Sequence, residues 1–315
     1  MDALNKINRR DFIKTGAAFG ALALLNELPL SAFAKNNLVK LTILHTNDWH
    51  SRIEPFPLDG GKFAGMGGAA VRSALIKKIR KEEKNILLLD AGDIFQGTPY
   101  FNFFEGELEY KLMTEMGYDA VTLGNHDFDS GIEGIINQLQ HASFEFVNCN
   151  YDFNNTLLSD KVKPYKVFTK DGIKIGVLGV GIELKGLVPD DLYGNIVYRD
   201  PVLYANKIAA ELKLEKKCDL VICLSHLGFD YNSDKLSDKK MAQQTSNIDL
   251  IIGGHTHTFL PEPITLKNAQ NKDVIINQVG WAGLQLGRID FYFDRAKNTV
   301  NTGIGLNMDI SVNTG

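Results

Sequence analysis

Leu44-His45-Thr46-Asn47-Asp48-Trp49-His50 closes an apolar run that begins at Leu38. A continuous run of aliphatic residues marks a strand covered on both faces, and the polar residues then fall in the loop at its carboxyl end. Layered α/β folds gather their binding groups in such loops. The same arrangement recurs along the chain. Ile86 to Leu89 leads into Asp90-Ala91-Gly92-Asp93-Ile94-Phe95-Gln96-Gly97, and Ala120 to Leu123 leads into Gly124-Asn125-His126-Asp127-Phe128-Asp129. Leu220 to Leu224 precedes Ser225-His226-Leu227-Gly228, and Leu250 to Ile252 precedes Gly253-Gly254-His255-Thr256-His257-Thr258.

Between these runs, Ala69 to Lys84, Tyr100 to Met116, Gly131 to His141, Pro201 to Lys216 and Asp238 to Ser246 have helical spacing or charge. Phe144 to Val147 and Ile173 to Val180 add two more apolar strands. After Leu260 the pattern alternates, in Val274 to Val279, Gln285 to Phe293 and Thr299 to Met308, as antiparallel strands do. The expectation is an α/β body of two packed sheets flanked by helices. No repeat, low-complexity tract or linker divides it, so residues 35–315 are expected to form a single domain.

The 315 residues are 44% hydrophobic and 23% charged with a net charge of −4, which gives no basic footprint for polymeric nucleic acid. A small anionic substrate remains compatible. Residues 1–34 read as an address. Asn8-Arg9-Arg10-Asp11-Phe12-Ile13-Lys14 precedes a short apolar run, Ala17 to Leu25, and Ala32-Phe33-Ala34 offers a cleavage site before Lys35. This resembles a twin-arginine export signal, with the twin-arginine translocase as partner and a periplasmic or extracellular destination. A membrane anchor would need about 20 apolar residues, and this run stops sooner, at Asn26-Glu27.

Of the seven histidines only His141 lies outside the five loop segments. Carboxylate, amide and imidazole together suit a hard or borderline divalent cation, and the absence of cysteine argues against structural zinc. The candidate ligands are Asp48, His50, Asp93, Asn125, His226, His255 and His257. Two cations about 3.5–4 Å apart need a shared anion and clamp both oxygens of an in-line displacement. Asp93, flanked by Gly92, is the natural bridge. Asp48-x-His50 and His255-x-His257 are expected to run extended, where the period of two puts both side chains on one side.

Other polar and aromatic neighbours have plainer readings. His45 is expected to pack, His141 to close a helix, Asp90 to accept backbone hydrogen bonds and Asp127 to be structural. Trp49 and Phe95 are read as packing residues. Gly65-Met66-Gly67-Gly68 lacks the Lys-Ser/Thr of a phosphate loop and reads as the turn that opens the helix carrying Arg72. Cys149, Cys218 and Cys223 are odd in number and widely spaced, so no disulfide framework is expected.

The order Asp-x-His, Gly-Asp, Gly-Asn-His-Asp, Ser-His, Gly-Gly-His-Thr-His resembles the calcineurin-like metallophosphoesterases. Leu44 to His50 and Gly124 to Asp129 are similar to the 5′-nucleotidase branch. The resemblance implies a four-layer αββα fold of two mixed sheets between helices. It implies one metal on Asp48, His50, Asp93 and His257, and a second on Asp93, Asn125, His226 and His255. The ions are expected to be manganese, zinc, iron or cobalt. Many 5′-nucleotidases have glutamine where His257 stands, a departure that bears on metal preference. His126 would steady the phosphoryl group or protonate the leaving alkoxide, with Asp129 orienting its ring. Asn125 and His126 would both meet the substrate, and a hydroxide activated by the two cations would attack it.

The activity implied is hydrolysis of phosphate monoesters, above all 5′-nucleotides. Alternatives on the same scaffold are a cyclic-nucleotide phosphodiesterase, a nucleotide-sugar hydrolase or a thiosulfohydrolase. An alternative of another class is a non-catalytic metal-binding subunit of a two-chain complex. Related 5′-nucleotidases carry a C-terminal substrate-binding domain that has no counterpart before Gly315. Two readings stay open: the chain works alone as a phosphatase of relaxed specificity, or a separate chain supplies that domain as a further partner.

Overall fold

Side-chain alternation within the strands sorts the core into layers. The computed structural model describes residues 38–296 and 299–311, so the signal segment 1–34 lies outside the described residues. The first sheet runs β15 (Thr299–Asp309), β14 (Gln285–Asp294), β1 (Leu38–Thr46), β2 (Ile86–Asp90), β3 (Ala120–Val121), β4 (Glu145–Val147) and β6 (Val162–Lys163). The second runs β12 (Ile264–Lys267), β13 (Asp273–Asn277), β11 (Leu250–Gly253), β10 (Leu220–His226), β8 (Ile173–Gly181) and β7 (Tyr165–Lys170). A small ribbon pairs β5 (Tyr151–Asp152) with β9 (Val197–Tyr198). β1, β2, β3, β4 and β6 are mutually parallel, as are β8, β10, β11 and β13.

Leu41 and Ile43 of β1 and Leu87 and Leu89 of β2 face the other sheet, where they meet Ile175, Val177, Ile222 and Ile252. Leu44 and Leu88, on the opposite face, pack instead on α1 (Ala69–Glu82) and α3 (Glu107–Met116) through Ile76, Tyr110 and Met113. α4 (Gly131–Gln138) adds Ile135 to that layer. The outer face of the second sheet, Leu178, Val180 and Val221, is covered by α6 (Pro201–Ala210) and α7 (Asp238–Gln244). A last short helix, α5 (Asp190–Tyr193), contacts α4. Three apolar layers thus separate four layers of secondary structure, the αββα order expected from the motifs.

Two local expectations need correction. The helix read over 100–116 is broken into α2 (Pro99–Phe104) and α3. Glu105 and Gly106 both take left-handed backbone, φ 49° and 94°, and a side chain at 106 would overlap the Phe95 ring. The two edge strands β7 and β12 escaped the reading because their residues are mostly half-buried or exposed and carry lysines and threonines rather than an apolar run.

His45 is fully buried, as expected, and its Nε2 accepts a hydrogen bond from Asn277 Nδ2 at 2.8 Å. Burial pushes its pKa down to about 3 from 6.5. The unfolded chain takes up this proton as pH falls through about 6.5, whereas the folded chain takes it only near 3, so stability declines across that window. His45→Gln should flatten the decline, read as the denaturation midpoint between pH 6.5 and 4.5; an unchanged slope would assign the loss to other groups.

Candidate metal centre

The carboxyl ends of β1, β2 and β3 in one sheet meet those of β10 and β11 in the other. Asp48, His50 and His257 bring their potential ligand atoms within 4.8 Å of one another, and Asp93, His226 and His255 form a second such group. His50 Nε2 lies 2.9 Å from His257 Nε2, and His257 Nε2 lies 3.4 Å from Asp48 Oδ1. Asp93 Oδ2 is 3.1 Å from His226 Nε2 and 3.9 Å from His50 Nε2, so this one carboxylate faces both groups. Asn125 Oδ1 is 2.8 Å from His255 Nδ1. All seven residues named from the motifs come together.

His126 stands beside them. Its backbone N–H donates to Asp93 Oδ1 at 2.7 Å, its ring centroid is 5.4 Å from that of His50, and its Nδ1 meets Asp129 Oδ2 at 2.8 Å. That hydrogen bond raises the His126 pKa.

The backbone is not extended as anticipated. Asp48, His50, Asp93, His255 and His257 all have left-handed φ, between 51° and 71°. This conformation costs of order 1 kcal/mol or more per residue and persists only where surroundings over-determine it. The inward direction of these side chains therefore goes with left-handed backbone at each position rather than with strand alternation. Gly254 permits the approach of the two sheets: a Cβ there would sit 2.9 Å from His226 Nδ1 and 3.1 Å from Asp48 Oδ2.

The donor set suits divalent cations. Two imidazole nitrogens facing at 2.9 Å, with a carboxylate oxygen at 3.4 Å, present lone pairs to a common point. His226 Nε2 is buried opposite Asp93 but off the hydrogen-bond axis. Burial disfavours its charge, yet Asp93 raises its pKa to about 10; burial likewise pushes Asp93 up, and His226 overrides this to hold it well below the carboxylate range. The positive charge that Asp93 calls for is one that a cation can supply, releasing the proton. Burial lowers His50, and lowers His255 to about 4, which leaves both as neutral imidazoles suited to ligation.

Asp127 behaves as a structural acid. It accepts backbone N–H groups from Asp93 (3.0 Å), Ile94 (2.9 Å) and Gly124 (2.8 Å), tying the second loop to the third. Asp90 accepts from Gly92 N at 2.9 Å and from Thr46 Oγ1 at 2.5 Å. Trp49 is buried with the Arg72 guanidinium 4.0 Å from its ring centre, Phe95 is buried, and all three cysteines are free and buried. His141 ends a short 3-10 turn that continues α4.

Sequence reading missed the brace behind the first group. Gln278, fully buried after β13, accepts from Thr258 N at 2.6 Å and Thr256 Oγ1 at 3.1 Å, and donates to Gly254 O. Asn47 Nδ2 donates to Asp48 Oδ2 and to Gly280 O, both at 2.6 Å, while its Oδ1 accepts from Val279 N at 3.0 Å. Trp281 lies parallel to the His257 ring at 5.5 Å. Only the position of Asn47 before Asp48 hinted at this; a glutamine inside Asn277-Gln278-Val279-Gly280 looks ordinary. Gln278→Leu should cost about 1–3 kcal/mol for each partner left buried and unpaired, visible in urea denaturation. A loss below the error of that measurement would deny Gln278 the bracing role.

Residues 41–259 match the calcineurin-like phosphoesterase family, and residues 6–25 match the twin-arginine translocation pathway signal sequence, which marks the chain for export. It is 34% identical over 300 residues to the snake venom 5′-nucleotidase of Crotalus adamanteus, covering 86% of this chain and 49% of that protein. It is 32% identical over 305 residues to the 5′-nucleotidase of Vibrio cholerae, covering 89% and 54%. The 5′-nucleotidase precursor of Thermus thermophilus superposes with a TM-score of 0.76 at 32% identity, covering 87% of this chain and 55% of that one. The chain thus spans about half the length of these relatives. Family match, four-layer fold and paired ligand groups agree, and the chain belongs to the calcineurin-like phosphoesterases.

Proposed function

We propose that residues 35–315 form a catalytic domain that hydrolyses phosphate monoesters, 5′-nucleotides foremost, at a dinuclear centre. Asp48, His50, Asp93 and His257 would hold one divalent cation, and Asp93, Asn125, His226 and His255 the other. The carrying observation is the placement of Asp93 between both groups with the His126–Asp129 pair hydrogen-bonded beside it. The resemblance to 5′-nucleotidases supports the substrate class. When bound, the cations lower the pKa of water and offset charge on the phosphoryl oxygens.

The protein's own groups do the rest. Asp129 accepts from His126 Nδ1 and thereby fixes the tautomer and the ring plane. Nε2 is left to face the ester, where it stabilises a phosphoryl oxygen and delivers a proton to the leaving alkoxide. Asn125 positions the phosphoryl group next to it.

The test is a panel of AMP, bis-p-nitrophenyl phosphate and a thiosulfonate with the purified chain reconstituted with manganese or zinc. Phosphate release from AMP is expected, abolished by chelation and restored by metal. Turnover of the thiosulfonate alone would transfer the chain to the thiosulfohydrolase reading. Failure on every ester, with candidate partner chains added, would favour a non-catalytic metal-binding subunit.

A further inference from the structure

Two of the clustered histidines are aimed by a hydrogen bond at the ring nitrogen that faces away from the centre. His226 Nδ1 donates to Ala91 O at 2.7 Å and His50 Nδ1 to Gln96 O at 3.2 Å, each leaving Nε2 to face Asp93. Metal-binding imidazoles ordinarily owe their tautomer and orientation to a bond of this kind. His257 also turns Nε2 inward, 2.9 Å from His50 Nε2 and 3.4 Å from Asp48 Oδ1, yet among the described residues no group hydrogen-bonds its Nδ1. It is the more open ring as well: its side chain is 39% exposed, against 8% for His50 and 0% for His226. Something other than a carbonyl must hold it.

Trp281 fills that place. Its indole lies within 9° of parallel to the His257 ring, with centroids 5.5 Å apart, the geometry of an offset stack. The indole is itself held on several sides. Ala282 N, the next residue, donates to Asp48 O at 2.7 Å, and Gly280 N, the one before, donates to Thr258 O at 2.9 Å. Phe56 meets the indole edge-on at 5.9 Å. The turn that carries Trp281 is therefore tied to both segments that supply the first group of ligands.

We propose that Trp281 is a positioning residue for the first cation, its ring fixing the plane of His257 where His226 and His50 use a backbone carbonyl. The inference rests on the dinuclear reading above and deepens it. It predicts that a flat side chain at 281, not apolar bulk as such, sets the affinity of one of the two cation sites.

The experiment titrates the chelator-stripped full chain with manganese by calorimetry, comparing Trp281→Leu and Trp281→Phe, each alone and combined with His257→Ala. Leucine keeps apolar bulk without the plane, and phenylalanine keeps a plane; position 281 is only half-buried, which favours folding of both. W281L should weaken one of the two equivalents about tenfold, the one that H257A also weakens, and leave the other within error. W281F should bind both close to the parent. In the H257A background W281L should add nothing, because the ring it steadies is gone. A merely structural role would instead lower the thermal midpoint of the metal-free chain and weaken both equivalents alike, with or without His257. That result overturns the assignment, as does a W281L that binds like the parent, a W281F no better than W281L, or an H257A that weakens neither equivalent. Phosphate release from AMP is scored separately. If the metal-loaded parent releases none while W281L acts only where His257 is present, the phosphatase reading falls and the positioning role stands.

Discussion

Asp93→Asn is expected to abolish phosphate release from AMP, by on the order of 10³-fold or more, and to remove at least one equivalent of bound metal. The substitution keeps shape but reverses one contact. The amide oxygen can still accept from His126 N, as Asp93 Oδ1 does at 2.7 Å. The NH₂ group then replaces Oδ2, presenting a donor toward His226 and His50, where the carboxylate now lies 3.1 and 3.9 Å away. The negative charge that both groups share is lost at the same stroke. Asp48 still lies 3.9 Å from His50 Nε2, but Asp93 is the first of the groups that raise the His226 pKa. Metal analysis of the purified variant checks the claim directly. Full occupancy together with parental turnover would remove Asp93 from the centre.

His126→Asn should leave metal content and thermal midpoint near those of the parent while lowering kcat by about 10²–10⁴-fold. The side chain is 37% exposed and carries no core packing, so a stability effect is not anticipated. On the proposed mechanism, its loss would remove the proton donor and one partial charge from the phosphoryl group. Asp129→Ala should act through His126 and cost less, about 10–100-fold. An aryl ester whose leaving group needs no proton separates the two duties. If His126 mainly protonates the leaving group, hydrolysis of p-nitrophenyl phosphate should suffer less than that of AMP. A variant as fast as the parent on both esters would show that His126 takes no part in the chemistry.

Much of this arrangement is legible without coordinates, for a definite reason. Asp48, Asp93, Asn125, His226 and His255 each follow an apolar strand, and burial on both faces writes such strands as unbroken aliphatic runs. The polar residue that ends a run is therefore conspicuous. Edge strands lack that signature, which is why Tyr165–Lys170 and Ile264–Lys267 are hard to see. The left-handed turns at the ligands are invisible for another reason. Aspartate and histidine tolerate this conformation without demanding it, and it goes with close tertiary packing, of Gly254 against His226 and Asp48, Gly97 against His50 and Gly124 against Asp93, that no local pattern announces. Gln278 illustrates the remaining gap: its value lies in contacts 20 and 22 residues away in sequence, and no local pattern announces them. The break between α2 and α3 likewise depends on the Phe95 ring meeting Gly106.

Each group of side chains draws on both halves of the sandwich. Asp48, His50 and Asp93 follow β1 and β2 of one sheet, whereas His226 ends β10 and His255 and His257 follow β11 of the other. An ion at either position would therefore act as a rivet across the seam, and neither could be held until the halves have docked. Occupancy would then certify completed folding, and metal analysis of protein taken before and after export would show whether the ions are loaded before a translocase that accepts folded cargo receives the chain. Stripping the ions should speed amide exchange in residues 48–50, 93–95 and 253–258 together, as a joint loosens along its whole edge.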